Sequence, residues 1–282
     1  MRFGFHISIA GGFSKVVQRA RVCRCQTIQI FSCNPRGWAH TPLNESDVAV
    51  FKEAVRKAEI FPVFVHLPYL VNLATRRSGF YIRSLRVLAE DLRRAETLSA
   101  SYLIMHMGSR LDSAEQEAIN TLAVSINRVF REVENQIILL IENTSGQGTQ
   151  IGWRFEEIGA VIERVENQCR IGVCLDTAHA FGAGYDISSR KGLDATLREL
   201  HRFVGLERLF LIHLNDTKVP LGSRKDRHWH IGTGHIGIEG FRNIVNDPRL
   251  SHLPGIMETP RKNDHDDLKN MSVIQSLGKK GT

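Results

Sequence analysis

One rhythm constrains the fold of this chain more than any single residue does. Eight short apolar runs, Phe3–Ile7, Thr27–Phe31, Phe61–Val65, Tyr102–Met105, Ile137–Ile141, Ile171–Leu175, Leu209–Ile212 and Gly255–Met257, alternate with longer segments of helical period. Those segments fall near 13–23, 46–59, 79–98, 113–134, 155–167, 189–204, 238–246 and 264–277. In the third, Leu85, Leu88, Leu92 and Ala95 recur at helical spacing with arginines between them. Strict alternation of strand and helix predicts parallel β/α units. Eight such units favour an α/β fold closed into a (β/α)8 TIM barrel, with an open doubly wound sheet as the alternative. No break in composition marks a second domain, so the barrel is expected to span 1–277, followed by a short frayed tail at 278–282.

Composition narrows the class. A hydrophobic share of 42% supports a full core and argues against disorder. The five cysteines are scattered and form no CxxC pair, which fits a reducing cytoplasm better than a disulfide framework. The start has no long apolar stretch of the secretory kind. No run approaches the roughly 18 apolar residues of a membrane span, and a cytoplasmic protein is expected. A formal charge of +7 suits a polyanionic partner but is a weak signal alone.

The chemistry lies in the residues that close each run. Strand three leads into His66, strand four into His106, strand five into Glu142 and strand six into Asp176-Thr-Ala-His179. Strand seven leads into His213 and strand eight into Glu258. In a (β/α)8 barrel these ends converge on one face, where active sites lie. A single strand-terminal histidine has a dull explanation as a cap or a buried hydrogen bond. Six successive ends carrying His, His, Glu, Asp, His and Glu do not share one easily. Beyond His213, Asp226 and His228 stand at i, i+2, so in an extended segment both side chains leave the same face.

Nine candidate ligands emerge: His66, His106, Glu142, Asp176, His179, His213, Asp226, His228 and Glu258. One tetrahedral zinc takes four ligands, or three and a water. With bridging carboxylates the set suits two or three ions, an arrangement characteristic of phosphoester hydrolysis. The mixture of imidazole and carboxylate favours zinc, with manganese or iron as alternatives. The remaining histidines, His6, His40, His201, His230, His235, His252 and His265, are read as non-ligands. His6 and His230 are the best placed of these to support a carboxylate or water.

The longer motifs add a resemblance. His66-Leu-Pro-Tyr-Leu-Val-Asn-Leu, Ile141-Glu-Asn-Thr-Ser-Gly-Gln-Gly, Cys174-Leu-Asp-Thr-Ala-His-Ala-Phe-Gly-Ala-Gly-Tyr-Asp, His213-Leu-Asn-Asp-Thr-Lys and Asp226-Arg-His-Trp-His-Ile-Gly-Thr-Gly-His-Ile-Gly resemble the motifs of the endonuclease IV family. These are zinc-dependent apurinic/apyrimidinic endonucleases, and the likeness runs from His6 to Glu258. Met107 and Ala178 depart from the family's usual residues, at positions not expected to coordinate metal.

The resemblance implies a TIM barrel with three zinc ions. It assigns His66, His106 and Glu142 to one ion, Glu142, Asp176, His213 and Glu258 to a second, and His179, Asp226 and His228 to the third. It implies hydrolysis 5′ to an abasic site by a multi-zinc hydroxide mechanism in which Glu142 is the catalytic bridge, leaving a 3′-hydroxyl and a 5′-deoxyribose phosphate. Trimming of blocked 3′ ends is implied as well. Arg36, in Asn34-Pro-Arg36-Gly-Trp38, together with Tyr69 and Leu70 would contact double-stranded DNA at the lesion, and a monomer is expected. Two other readings stay open: a divalent-metal sugar isomerase or epimerase on a related barrel, and a damaged-DNA binder that does not cut.

Overall fold

The structure, a computed structural model, describes residues 1–77, 79–262 and 264–278. Its barrel strands are β1 (Phe3–His6), β2 (Thr27–Phe31), β3 (Val63–His66), β4 (Tyr102–His106), β5 (Ile138–Glu142), β6 (Ile171–Asp176), β7 (Leu209–His213) and β10 (Gly255–Met257). They close in the order β1-β10-β7-β6-β5-β4-β3-β2, and every neighbouring pair is parallel. The eightfold alternation thus builds a TIM barrel, not an open sheet. Between β7 and β10 a two-stranded antiparallel ribbon, β8 (Asp216–Thr217) and β9 (His228–Trp229), rises above the barrel. Past Gly278 the expected tail lies outside the described residues.

The boundaries differ from the sequence reading in ways that matter. β3 begins at Val63 because Pro62 has no N–H to give the ladder. β3 to β7 each include the polar residue that closes their apolar run, so these side chains are held by strand backbone and not by loop.

The helices are α1 (Val16–Val22), α2 (Glu45–Lys57), α3 (Tyr81–Thr97), α4 (Glu115–Glu132), α5 (Phe155–Ile162), α6 (Thr177–Ala183), α7 (Arg190–Phe203), α8 (Gly237–Val245) and α9 (Asp264–Leu277). Of these, α6 lies outside the segments of helical period, following β6 directly from its cap Asp176. It ends where Gly184 adopts φ 114°, a left-handed conformation that a side chain would oppose. In α3 the residues Leu85, Leu88, Leu92 and Ala95 are buried, as their spacing predicts.

Alternation along the strands divides the apolar interior in two. Outward residues such as Ile28, Val65, Leu103, Met105, Leu139, Ile141, Val173 and Ile212 join the helices in one core. Inward residues Phe64, Ile104, Leu140, Cys174, Leu211 and Ile256 form a separate cluster within the barrel. Gly4 lets β1 approach β2: a Cβ there would lie 1.8 Å from the carbonyl oxygen of Thr27. Among the described residues no helix is long and apolar enough to cross a membrane.

Candidate metal centre

The inner cluster and the polar mouth above it are one strand step apart. Two residues beyond Phe64, Ile104, Leu140, Cys174, Leu211 and Ile256 stand His66, His106, Glu142, Asp176, His213 and Glu258. Residues i and i+2 of a strand share a face, so the six polar side chains point along the barrel axis from above the apolar layer. Register brings them side by side, with His106 opposite Glu142 and Asp176 opposite His213.

Glu142 is the hub and is fully buried. Its Oε2 lies 3.2 Å from His66 Nε2 and 3.3 Å from His106 Nε2. Its Oε1 lies 2.9 Å from His213 Nδ1 and 3.4 Å from His179 Nδ1. The two oxygens therefore face different histidine sets. His213 Nδ1 is also 3.8 Å from Asp176 Oδ2 and 3.5 Å from Glu258 Oε2. Asp176 and Asp226 then reach outward: His228 Nε2 is 3.5 Å from Asp176 Oδ2 and 3.4 Å from Asp226 Oδ1. His179 Nε2 is 3.2 Å from Asp226 Oδ2. Three groups of donor atoms result, His66 with His106 and Glu142, then Glu142 with Asp176, His213 and Glu258, then Asp176 with His179 and His228, each within 4.8 Å. All nine sequence candidates lie in this one place.

The helix α6 explains how Asp176 and His179 come together. Asp176 caps it, its Oδ1 accepting the N–H of His179 at 2.7 Å. The ribbon does the same for the last pair, since β9 extends His228 so that it and Asp226 both meet His179.

Four carboxylates in so small a volume need positive charge. Among the described residues their ion pairs are all with histidine, none with lysine or arginine. Burial opposes charge on His213 and His179, yet the surrounding acids hold both imidazoliums well above the ordinary range. Burial likewise opposes charge on Glu142, but His106, His213 and His179 keep it well below the usual carboxylate range. His106 itself is pushed down to about 4 by burial, and so is a neutral donor. Nitrogen and oxygen donors with a demand for cationic charge fit divalent ions of the zinc class.

Further residues orient this set. Gln29, from the middle of β2, donates to Glu258 Oε1 at 2.6 Å and accepts from His213 Nε2 at 2.7 Å. Asn215 donates to Asp176 Oδ2 at 2.7 Å and accepts the N–H of Glu258 at 2.8 Å. His66 and His179 donate their Nδ1 protons to the carbonyls of Leu67 and Asn143, at 2.7 and 2.9 Å, which leaves Nε2 free to ligate. His6 Nδ1 stands 3.2 Å from Glu258 Oε1, whereas His230 turns to Asn270 instead, at 3.2 Å. Gln29 was missed because an amide inside an apolar run carries no motif. Its signal was only that it interrupts Thr27–Phe31 on the inward face.

Tyr69 and Leu70 stand on the rim, 62% and 41% exposed. The Tyr69 ring is 5.4 Å from that of His66 and 5.7 Å from that of His106. A cavity of about 320 Å³, lined by Tyr69, Leu70, Asn72, His106, Gly108 and Asp226, runs down beside them. Arg36 is exposed on the neighbouring β2–α2 loop, held there by Asn34, whose Oδ1 accepts its N–H at 3.1 Å. A cavity of about 1320 Å³ lies on the outer flank between α2 and α3 and touches none of these residues.

Fold and site together define a metal-site TIM barrel, and residues 17–277 match the family model described as xylose isomerase-like TIM barrel. A D-tagatose 3-epimerase-like protein shares that fold at 16% identity, with a TM-score of 0.73 over 98% of this chain and 97% of its own. Far closer is the endonuclease IV structure from Thermus thermophilus, 35% identical, with a TM-score of 0.87 and 98% of each chain covered. The protein of Halothermothrix orenii named Probable endonuclease 4 is 42% identical over 98% of this chain and 99% of its own. The chain belongs to the endonuclease 4 family.

Proposed function

We propose that this chain is a zinc-dependent DNA-repair endonuclease that hydrolyses the phosphodiester 5′ to an abasic site, and that it also clears blocked 3′ ends. The observation that carries this reading is the placement of three overlapping donor groups on rigid strand ends beneath an exposed Tyr69-Leu70 rim. Family membership supports it.

His66, His106 and Glu142 would hold one ion, and Glu142, Asp176, His213 and Glu258 a second. His179, Asp226 and His228 would hold a third, with Asp176 close enough to the second and third groups to couple them. When bound, such ions neutralise phosphate charge and make water a nucleophile at neutral pH, which phosphodiester hydrolysis requires. Glu142 would serve two ions, since its oxygens face separate histidine pairs. Gln29 and Asn215 fix the carboxylates so that little reorganisation accompanies the reaction. The buried inner cluster closes the floor, and substrate enters from the rim.

At the rim, Tyr69 and Leu70 would wedge into the base stack, while Arg36 fills the space left by the missing base. Opening the helix costs least where a base is already lost, so an abasic sugar turns into the site more readily than an intact nucleotide. The products would be a 3′-hydroxyl and a 5′-deoxyribose phosphate, released by a monomeric enzyme.

The test is a duplex with one central abasic site, incubated with purified protein whose metal content has been measured. A nick 5′ to the lesion, lost after exhaustive chelation and restored by zinc, is the expected result. An intact duplex in the presence of fully metal-loaded protein overturns the reading.

A further inference from the structure

The described residues hold a further group of metal-donor side chains that shares nothing with the barrel mouth. Cys33, His40 and Asp91 each offer one donor atom, and these atoms lie within 4.8 Å of one another. Cys33 and His40 stand at the two ends of the segment that carries Arg36, Gly37 and Trp38, and Asp91 projects from α3. We propose that Cys33, His40 and Asp91 form a separate site for a single divalent cation of the zinc class, which staples the β2–α2 loop to α3.

The donor chemistry is specific. Thiol, imidazole and carboxylate are all zinc ligands, and an ion bound at roughly 2.0–2.3 Å sets tetrahedral donors roughly 3.3–3.8 Å apart. His40 Nε2 is already 3.0 Å from Asp91 Oδ1, so the pair has to open by less than an ångström. A thiolate and a carboxylate with a neutral imidazole carry two negative charges, which a divalent ion balances. The protons that leave are those of the Cys33 thiol and of His40, and they go to solvent.

A second observation points to a ligand. Asp91 is completely buried, and while its Oδ1 takes both His40 and the Ser32 hydroxyl, its Oδ2 has no hydrogen-bond partner. A buried carboxylate oxygen without a partner is costly unless something cationic meets it. The neighbouring guanidinium does not: Arg94 directs its donors to the Ser32 carbonyl at 2.5 Å, the Ser32 hydroxyl at 3.1 Å and the Thr41 carbonyl at 2.9 Å.

The thiol is also unusual in its setting. Cys23 and Cys25 are buried within the outer apolar core, whereas Cys33 is buried outside both apolar clusters. His40 Nε2 meets Asp91 Oδ1 at 3.0 Å, and hydrogen bonding to Asp91 and then to Cys33 pushes its imidazolium up to about 10. Access exists from the surface. A cavity of about 450 Å³, lined by Trp38, His40, Glu90 and Glu132 and also by Arg83, Arg86 and Arg93, opens beside His40 and is large enough to admit water. The expected effect is on the loop: its two ends would be fixed to one helix, and Arg36 would be presented from a shorter span of free backbone.

Cobalt(II) is the probe, because a thiolate ligand gives an intense near-ultraviolet charge-transfer band and a site of imidazoles and carboxylates gives none. Metal-free full-length protein is titrated with cobalt(II) until the spectrum stops changing. The band should develop to the intensity of one thiolate-ligated cobalt per chain. It should vanish in Cys33→Ser, vanish or weaken severalfold in His40→Ala, and persist in Cys174→Ser, which alters the thiol next to the barrel mouth. His40 is partly exposed and lies outside the apolar clusters, so its substitution keeps the test open should Cys33→Ser misfold. Absence of the band in the wild type, its survival in Cys33→Ser, or its undiminished survival in His40→Ala overturns the proposal. Neither readout depends on nuclease activity.

Discussion

Two layers inside the barrel, one strand step apart, have opposite characters. The lower is Phe64, Ile104, Leu140, Cys174, Leu211 and Ile256, and the upper is His66, His106, Glu142, Asp176, His213 and Glu258. The same strands supply both, at positions that point the same way. The lower layer lowers the free energy of the closed barrel by removing apolar surface from water, at roughly 1.5–3 kcal/mol for each large side chain. The upper layer does the reverse, collecting buried carboxylates whose mutual repulsion has to be offset by the histidines among them. Stability and chemistry are thus separated along the barrel axis by a distance of two residues. The apolar layer is what makes the upper one tolerable, because it fixes the backbone on which the charged groups stand.

The most severe break in this comparison is Glu142→Gln. The substitution keeps shape but removes the charge and one ligating oxygen from the group that faces both histidine sets. Cleavage of an abasic duplex under single-turnover conditions should fall by roughly a thousandfold or more, on the order of 4 kcal/mol, while gel-shift affinity changes much less. Turnover near that of the wild type would sink the bridging role. One step lower on the same strand, Leu140→Ala should cost about 2–5 kcal/mol of stability through lost burial and a cavity, read by denaturant unfolding. Well below its melting temperature this variant should still cleave within a few-fold of wild type. A thousandfold loss there, with stability intact, would mean the layers are not separable. The mildest change, Gln29→Leu, tests the seam between them. It removes the amide that holds Glu258 and His213, and metal affinity by chelator competition should weaken about 10–100-fold. Unchanged affinity would reduce Gln29 to packing.

Much of this was readable beforehand, and the reason is geometric. Eight apolar runs of three to five residues sufficed to expect the barrel, and in six of them the residue that follows is His, Asp or Glu on the inward face, which collects His66, His106, Glu142, Asp176, His213 and Glu258. What stayed hidden depends on contacts between distant segments. Gln29 gains its role from residues 184 and 229 positions away. α6 lies outside the segments of helical period and exists because Asp176 caps it and the loop above is packed in place. The contact between His40 and Asp91 is hidden for the same reason: Asp91 sits 51 residues on, within a helix whose arginine-rich face gives no hint of a buried acid.

The cap on α6 has a mechanical consequence. Asp176 Oδ1 holds the N–H of His179 at 2.7 Å, and Oδ2 faces His228 at 3.5 Å and Asn215 at 2.7 Å. The first turn of the helix and the electrostatics of the mouth therefore share one side chain. Any rotation of that carboxylate toward a cation pulls on the turn that carries His179, and any fraying of the turn swings His179 away from Asp226. Amide hydrogen exchange along Thr177–Ala183 becomes a gauge of the state of the mouth: slow when the carboxylate is pinned on both sides, faster when it is not.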